Sequence, residues 1–176
     1  MKIILLVTSF IWSNILLLTE LIQNRYFIDD IIDVAGTNYR AYLEEPGGTR
    51  TEISVPITSN LVATPTVIAS FTSYNGLTAE RYLPTQSTSV SIKFWRTNSQ
   101  RTCKAWIEFY DLSPTGVKIL KGKSEAETIS ATKETKIFFM PIQEYTARIG
   151  HRGLIVVNAI YEGSGTQFDA VIAIGN

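Results

Sequence analysis

Histidine and cysteine, the side chains that most often serve as bases, nucleophiles and metal ligands, occur once each in this sequence. His151 stands in the run Arg-Ile-Gly-His-Arg-Gly, which is typical of a turn at the entrance of a strand. Zinc hydrolase sites need several such ligands, and neither His151 nor Cys103 has a second residue of its kind. The sequence therefore predicts no catalytic residue, no metal site and no cofactor.

Paired carboxylates could support glycoside hydrolysis if they faced each other at about 5–9.5 Å across a cleft. Glu44 and Glu45 precede a Pro-Gly-Gly turn, and Glu108 and Asp111 flank the end of a predicted strand. Sequence alone does not bring either pair across a cleft, so we assign them no such chemistry. The acidic cluster at 29–33 lacks the spacing of a calcium loop and is better explained as helix-end or linker charge.

Large aromatic residues offer a second kind of site. Trp95, Trp106 and Tyr110 fall on strand faces opposite the predicted core. They could form a flat platform that stacks on sugar rings, because CH-rich sugar faces favour large aromatic surfaces. We prefer the alternative, in which these rings are buried in the core or in an interface between subunits.

The composition argues against several other functions. The 176 residues include 16 Lys and Arg and 16 Asp and Glu, and a formal net charge of zero argues against a nucleic-acid partner. The sequence contains no phosphate-binding loop, dinucleotide fingerprint, nucleophile elbow or His-x-x-x-His pair. With 45% hydrophobic residues the chain can bury a core, so we expect a folded domain that is not an enzyme.

Short segments rich in β-branched and aromatic residues must position these side chains. They are predicted at Asn38–Leu43, Thr51–Ile57, Thr66–Ser73, Ser89–Arg96, Cys103–Asp111, Lys118–Leu120, Glu127–Ile129, Lys136–Pro141, Leu154–Tyr161 and Phe168–Ile174. Strict alternation places Phe94 and Phe109 on core faces. The regular spacing predicts an all-β fold, an antiparallel jelly-roll-like β-sandwich over residues 37–176.

Residues 1–36 form a separate apolar arm in this interpretation. Ile3–Thr19 carries no charge and reaches the lower edge of a membrane span in length. Three alternatives stay open: a helix packed in protein, a membrane anchor or uncleaved signal across 3–22, and an extended arm. We expect attachment through this arm, because its apolar side chains would lose much free energy in water. The side chains expected to carry the attachment are Leu5, Phe10, Trp12, Leu16 and Leu17.

Six segments share a recurring order of residue types. They are Tyr39–Tyr42, Val67–Thr72, Ser89–Trp95, Ala105–Tyr110, Lys136–Phe139 and His151–Val157. In this order, residues 36–176 resemble the β-sandwich modules of tailed-phage virions, which occur in fibres, baseplate appendages and capsid decorations. One departure is the late motif, which is usually Asp-Arg-Leu-Val and here is His-Arg-Gly-Leu.

The resemblance implies a non-enzymatic structural protein of the virion that assembles through its arm and sandwich faces as a homo-oligomer, with a trimer favoured. Its partners would be other virion proteins and a host-surface glycan used in host attachment. The competing interpretation is a carbohydrate-binding or adhesion module, secreted or anchored in a membrane through 3–22. It is based on Phe94–Trp95 and Ala105–Tyr110, which also resemble strands of jelly-roll sugar-binding modules. The expected location is the virion, with the membrane or the extracellular space as the alternative.

Overall fold

The computed structural model describes residues 26–43, 51–57, 64–97, 102–162 and 168–174. Within these ranges, no helix is long and apolar enough to cross a membrane. Residues 1–25 of the predicted arm lie outside the described residues, whereas residues 26–36 lie within them. The side chains expected to carry the attachment belong to the part outside, and they are Leu5, Phe10, Trp12, Leu16 and Leu17.

Thirteen β-strands make up the described part of the chain. They are β1 (Tyr26–Val34), β2 (Thr37–Leu43), β3 (Thr51–Ile57), β4 (Thr66–Ser73), β5 (Arg81–Leu83), β6 (Gln86–Arg96), β7 (Thr102–Leu112), β8 (Lys118–Lys123), β9 (Glu127–Ile129), β10 (Glu134–Ile142), β11 (Tyr145–Ala147), β12 (Arg152–Glu162) and β13 (Phe168–Ile174). The predicted all-β fold class is confirmed, and every predicted strand is present. The sequence did not predict β1, β5 or β11.

Eleven of these strands form one sheet in the order β1-β2-β4-β12-β7-β8-β10-β6-β13-β3, with β9 paired to β7. The sheet curls until β3, at one end, contacts β4 and β12, so that it is nearly closed. The strands β5 and β11 form a separate two-stranded sheet. The prediction of a wholly antiparallel arrangement is wrong for β2 and β4, which pair in parallel.

The inner face of the curled sheet carries the main hydrophobic core. Phe94 and Phe109 belong to it and are 0% and 6% exposed, so the prediction of core positions is confirmed. Burial of each large apolar side chain contributes about 1.5–3 kcal/mol. Other large, fully buried members are Ile57, Phe71, Ile92, Ile107, Phe138, Met140 and Ile155.

The corner between β8 and β10 depends on a glycine. These strands meet at one residue pair, Gly122 with Ile142, beside a hydrogen bond from Gln143 N to Lys121 O of 2.8 Å. A Cβ on Gly122 would lie 2.5 Å from Pro141 O, a distance that real Cβ atoms do not show. The absence of a side chain at Gly122 therefore allows β8 and β10 to approach each other at this corner of the sheet.

The hairpin of β1 and β2 adds a smaller apolar cluster on the outer face. Its two-residue turn has positive φ at Ala35 (53°) and Gly36 (78°), as a type I′ turn requires. Val34 and Tyr39 pack on outer residues of β7 and β12. The aspartates of the cluster at 29–33 therefore lie in a strand and not at a helix end or in a linker.

Candidate ligand-binding site

A cavity of about 250 Å³ lies at one end of the curled sheet. Its walls come from the ends of β2, β4, β7 and β10 and from the beginnings of β6 and β12, which meet at that end. The lining residues are Tyr42, Ser73, Asn75, Leu77, Arg81, Leu83, Gln86, Phe109, Asp111, Ile142, Tyr145, Ala147, His151, Arg152, Gly153 and Ile155. The cavity therefore combines aromatic and aliphatic walls with charged and hydrogen-bonding groups.

The two-stranded sheet of β5 and β11 closes one side of this cavity. Tyr145 pairs with Leu83, and Ala147 pairs with Arg81. Because side chains alternate along a strand and directly paired residues lie on the same face, these four side chains share one face of the two-stranded sheet. All four residues line the cavity, so both strands turn their lining faces to the same space.

The turn that carries His151 is fastened to the loop that follows β4. Leu77 N donates to His151 O at 2.8 Å, and Gly150 N donates to Leu77 O at 2.8 Å. His151 lies between this turn and the start of β12, where the sequence predicted a turn residue. These backbone bonds fix the position of the imidazole at the edge of the cavity.

His151 and Asp111 form a close pair that the sequence did not predict. Nδ1 of His151 lies 3.0 Å from each carboxylate oxygen of Asp111, and the side chains are 15% and 7% exposed. A carboxylate at this distance places the imidazole proton on Nδ1. Nε2 is then the nitrogen that can accept a hydrogen bond.

Gly153 makes room for the aromatic floor of the cavity. It pairs with Asp111 across β12 and β7. A Cβ at this position would lie 2.6 Å from the Tyr42 hydroxyl and 3.1 Å from the Phe109 ring. The glycine therefore allows the phenol, the phenyl ring and the Asp111 carboxylate to converge on one space.

Tyr145 presents a neutral phenol to the cavity. Burial raises its pKa above the ordinary value for tyrosine, and the negative charge of Asp111 raises it further. The ammonium group of Lys121 lies 4.7 Å from the centre of the Tyr145 ring. The centre of the Phe109 ring lies 6.5 Å from the same point. Tyr145 therefore offers a hydroxyl donor and an aromatic surface at neutral pH.

Arg152 is hydrogen-bonded to backbone next to the cavity. Its Nη1 donates to Ser73 O at 2.7 Å and to Tyr74 O at 2.5 Å. A guanidinium has five N–H donors, and these contacts occupy the nitrogen Nη1 alone. The orientation of the group is thus set by the fold.

Trp106 and Tyr110, predicted as an interface or glycan platform, lie together on the outer face of β7. Trp106 Nε1 and Tyr110 OH donate to the two carboxylate oxygens of Glu108 at 3.0 and 2.7 Å. Asn158 Nδ2 donates at 3.2 Å, and Lys123 Nζ lies 3.4 Å from the carboxylate and 4.8 Å from the Trp106 ring centre. We call these five residues the Glu108 cluster.

Hydrogen bonding within the Glu108 cluster changes the acidity of its members. Burial alone would raise the pKa of Glu108, but donors from Trp106, Tyr110 and Lys123 outweigh it and lower the pKa. Burial, and to a smaller extent the hydrogen bond to Glu108, raises the pKa of Tyr110 to about 12. Trp106 is 8% exposed, so little of its ring is open to a ligand.

Trp95, the third predicted platform residue, lies apart from the Glu108 cluster. It belongs to β6, which β8 and β10 separate from β7 in the sheet. The ammonium group of Lys133 lies 4.2 Å from the centre of its ring. The three rings therefore do not make one platform, and a role in an interface stays a prediction for each of them.

The carboxylates named as a glycosidase pair point to opposite faces of the sheet. Glu108 is on the outer face of β7, whereas Asp111 lines the cavity on the inner side. They cannot flank one sugar ring. Glu44 and Glu45 lie outside the described residues. In the part of the chain that the structure describes, no group of three or more His, Cys, Asp or Glu could hold a metal ion.

One signal in the sequence pointed to Asp111. Ala105, Ile107 and Phe109 alternate along the inner face of β7, and Asp111 occupies the next position in that register. A carboxylate at an apolar position needs a buried partner. The sequence does not identify that partner as His151, because the pairing of β7 with β12 is required for it.

The chain matches no known protein family profile and no curated protein. Its structure is similar to that of a CocE/NonD family hydrolase from Staphylococcus aureus, with a TM-score of 0.49, 8% identity, and coverage of 77% of this chain and 32% of that one. It is also similar to the structure of infectious bursal disease virus Gx strain, with a TM-score of 0.29, 10% identity, and coverage of 84% and 39%. The chain thus spans about a third of the length of the first protein and about two fifths of the second. Neither similarity identifies a family for it.

The similarity to the hydrolase corrects one prediction. The sequence analysis concluded that the chain is not an enzyme, and this conclusion is contradicted by the hydrolase among the similar structures. We withdraw it. At 8% identity the similarity gives no reaction or substrate for this chain. The all-β fold is compatible with the expected virion module, and no comparison shows a phage family.

Proposed function

We propose that this chain is an attachment module that binds a sugar residue in the cavity at the end of its curled sheet. The observation that carries the proposal is the lining of that cavity. Tyr42, Phe109 and Tyr145 supply aromatic surface, and His151 and Asp111 supply a fixed pair of polar groups. Sugars need both, since their CH faces pack on rings and their hydroxyls require hydrogen-bond partners.

The size of the cavity supports a small ligand. A volume of about 250 Å³ lies just below the range of about 300–1,000 Å³ that is usual for ligand pockets. One sugar ring of a longer glycan suits such a space, with the remainder of the glycan in solvent. Binding of one terminal ring is sufficient for attachment when many copies of the module act together.

We propose a virion appendage as the setting of this module. The strand order that resembles tailed-phage modules supports this setting, since every strand of that pattern is present in the structure. In the same proposal the curled sheet is a jelly-roll-like sandwich, and the chain assembles as a homo-oligomer with a trimer favoured. The apolar outer side of β10 supports assembly, because Ile137 and Phe139 are 50% and 67% exposed.

A glycan array is the first test of sugar binding. The wild-type chain should bind a set of glycans that share a terminal ring. Ala147→Leu should abolish this binding, because the longer side chain enters the cavity from a residue that is 3% exposed. The matched control is Ala131→Leu, which adds the same groups at an exposed turn and should bind like wild type.

Nuclear magnetic resonance provides a second test that needs no variant. His151 is the single histidine of the sequence, so its imidazole gives one set of ring signals. These signals should shift when the best glycan is titrated. An array without binding, or binding that leaves the His151 signals unchanged and survives Ala147→Leu, would contradict the proposal.

Light scattering tests the assembly. The wild-type chain should have the mass of a trimer, and Phe139→Ser should lower that mass. Ile31→Ser, at a residue of β1 that is 56% exposed, is the matched control and should not change it. A monomeric wild-type chain would rule out the homo-oligomer without affecting the sugar site.

A further inference from the structure

We propose that the chain also hydrolyses esters, and that it removes a small acyl group such as acetyl from a hydroxyl of the sugar bound in this cavity. His151 is the general base of this reaction, and Asp111 positions it. The inference rests on the proposed function, because the substrate is an acylated form of the same sugar. It follows from the geometry of the His151–Asp111 pair, from the donors beside the pair and from the bonding of Ser73.

His151 has the arrangement of a general base that is held in one orientation. Its Nδ1 lies 3.0 Å from each oxygen of Asp111. Its Nε2 has no hydrogen-bond partner among the described residues, and none of these residues has a buried side-chain nitrogen or oxygen that lacks a partner. Nε2 is therefore accessible at the cavity that this side chain lines. A neutral imidazole in this position can take a proton from a water molecule.

Asp111 stabilises the form of His151 that proton transfer produces. When Nε2 takes a proton the imidazole becomes a cation, and the carboxylate at Nδ1 lies against its positive charge. The backbone bonds between Leu77 and the turn of His151 keep the ring in place, so little order has to be gained when a substrate binds. Asp111 acts through the imidazole and is a positioning residue.

Water is the nucleophile in this proposal, because the side-chain alternatives are engaged or buried. Ser73 lines the cavity, but its Oγ donates to Asn75 O at 3.0 Å, so its proton is not directed to Nε2. Cys103, the single cysteine of the sequence, is fully buried in the main core and does not line the cavity. Nε2 therefore acts on water directly.

Tyr145 and Arg152 supply donors for the carbonyl oxygen of the ester. Burial and the charge of Asp111 raise the pKa of Tyr145, so the phenol keeps its proton, and the hydroxyl is near the carboxylate that holds His151. Nη1 of Arg152 donates to two backbone carbonyls, whereas its Nε and Nη2 make no hydrogen bond within the described ranges. Donors of this kind stabilise the negative charge that develops on the carbonyl oxygen.

The reaction consumes one water molecule. Nε2 removes a proton from the water while the water oxygen bonds to the carbonyl carbon, and the carbonyl π electrons move to the carbonyl oxygen. The tetrahedral intermediate then collapses: the carbonyl forms again, the bond between that carbon and the sugar oxygen breaks, and the sugar oxygen takes the proton from Nε2. The products are the free sugar hydroxyl and a carboxylic acid, which releases its proton to solvent.

The lining selects an ester bond of a small acyl group. Cleavage of a glycosidic bond needs two carboxyl groups about 5–9.5 Å apart, and Asp111 is the single carboxylate among the described lining residues. A volume of about 250 Å³ leaves space for only a few carbon atoms beside one sugar ring. Acetyl esters of monosaccharides are therefore the substrates to test.

Release of acetate from acetylated monosaccharides tests the inference on the full chain. The substrates are the single 2-, 3-, 4- and 6-O-acetates of the methyl glycosides of glucose, galactose and mannose, and proton NMR measures acetate. The wild-type chain should cleave at least one of them. His151→Gln keeps a donor for Asp111 but no base, and should lower kcat by about 10²–10⁴. Acetate release no faster than in buffer, or a fully active His151→Gln, would overturn the inference.

Asp111→Asn tests the positioning role and does not depend on the folding of His151→Gln. In this variant kcat should fall by about tenfold or more while KM stays near the wild-type value, because the imidazole loses its fixed tautomer and the charge behind it. Long-range nitrogen–proton NMR should show the change of tautomer in the same sample. Asp30→Asn, at an exposed residue of β1 outside the lining, is the matched control and should change neither. A lower thermal midpoint with an unchanged kcat would make Asp111 purely structural.

The outcomes separate this inference from the proposed function. If unacetylated sugars shift the His151 signals but no acetate is released, the sugar site stands and the esterase activity is wrong. If ethyl acetate is hydrolysed through His151 while no sugar binds, the sugar site and the acylated-sugar substrate are both wrong. If sugars neither bind nor lose acetate and ethyl acetate is stable, both proposals are wrong. An acetyl group found on the intact protein by mass spectrometry during turnover would overturn direct attack by water.

Discussion

Two carboxylates on β7, Glu108 and Asp111, lie three residues apart on opposite faces of the sheet and have different surroundings. Glu108 accepts hydrogen bonds from Trp106, Tyr110 and Asn158 and has the Lys123 ammonium beside it. Among the described residues, Asp111 has the single side-chain partner His151 and lies beside open volume. The fold therefore satisfies the first carboxylate completely and leaves the second with room for a ligand.

The comparison separates a structural network from a site. Both groups are partly or fully buried, so burial alone does not distinguish them. The difference lies in the partners, since neighbours on β7, β8 and β12 surround Glu108, whereas a turn supplies the partner of Asp111. A buried polar group that its own fold satisfies stabilises that fold, and one beside a cavity can also serve a ligand.

Removal of the Phe109 ring should have the largest effect on the free energy of unfolding. Phe109 is 6% exposed on the inner face, and Phe109→Ala should lower the free energy of unfolding by about 3–5 kcal/mol. The control is Ile31→Ala at a side chain that is 56% exposed, where the loss should stay near 0.5 kcal/mol. Urea denaturation measures both, and equal losses would place Phe109 outside the core.

Loss of the outer carboxylate should destabilise the fold and spare the cavity. In Glu108→Ala, donors of Trp106, Tyr110 and Asn158 lose their acceptor, and the free energy of unfolding should fall by about 2–3 kcal/mol. Sugar affinity should stay at the wild-type value. A smaller sugar affinity in a folded variant would show that the two faces of β7 are coupled.

Loss of the Asp111 charge should lower the free energy of unfolding less than loss of Glu108 does. It should also change the tautomer of the His151 imidazole. Asp111→Asn keeps an acceptor for the imidazole, so the free energy of unfolding should fall by about 1 kcal/mol. The proton should move in part from Nδ1 to Nε2 of His151, because an amide oxygen attracts it less strongly than a carboxylate. Long-range nitrogen–proton NMR reports this change on the single histidine, and an unchanged tautomer would contradict the pairing.

Acid should lower the free energy of unfolding slightly through the Glu108 cluster. The folded pKa of Glu108 is lowered from 4.5, so this group stabilises the fold above that pH, and its contribution disappears as the pH falls through the folded pKa. Wild type should therefore lose stability below about pH 4.5 more steeply than Glu108→Gln. Parallel curves for the two proteins would mean that the cluster does not hold the carboxylate in its charged form.

Alternation and turn chemistry predicted most of the strands, and the exceptions have physical causes. β1 was missed because Asp29, Asp30 and Asp33 interrupt its apolar pattern. β5 and β11 are three residues long and pair with each other to cover the cavity, so neither carries a periodicity of its own. Short strands of this kind depend on tertiary packing.

The candidate site was less accessible to sequence reasoning. The turn at His151 was predicted, but its partner Asp111 is 40 residues away, and the register of β7 with β12 brings them together. The outward orientation of Trp106 and its burial in the core or in an interface were predicted, whereas the residues that cover its ring were not. Those residues are Glu108 on the same strand and Lys123 on β8, and the pairing of β7 with β8 is required to bring Lys123 to the ring.

The corner at Gly122 has a consequence for local opening of the protein. Eleven residue pairs join β12 to β7, but one pair, Ile142 with Gly122, joins β10 to β8. Amide hydrogens at this corner should therefore exchange with solvent through small local openings, far sooner than those between β12 and β7. Ile142 also lines the cavity, so a bound ligand would slow exchange at the place where the sheet opens most readily.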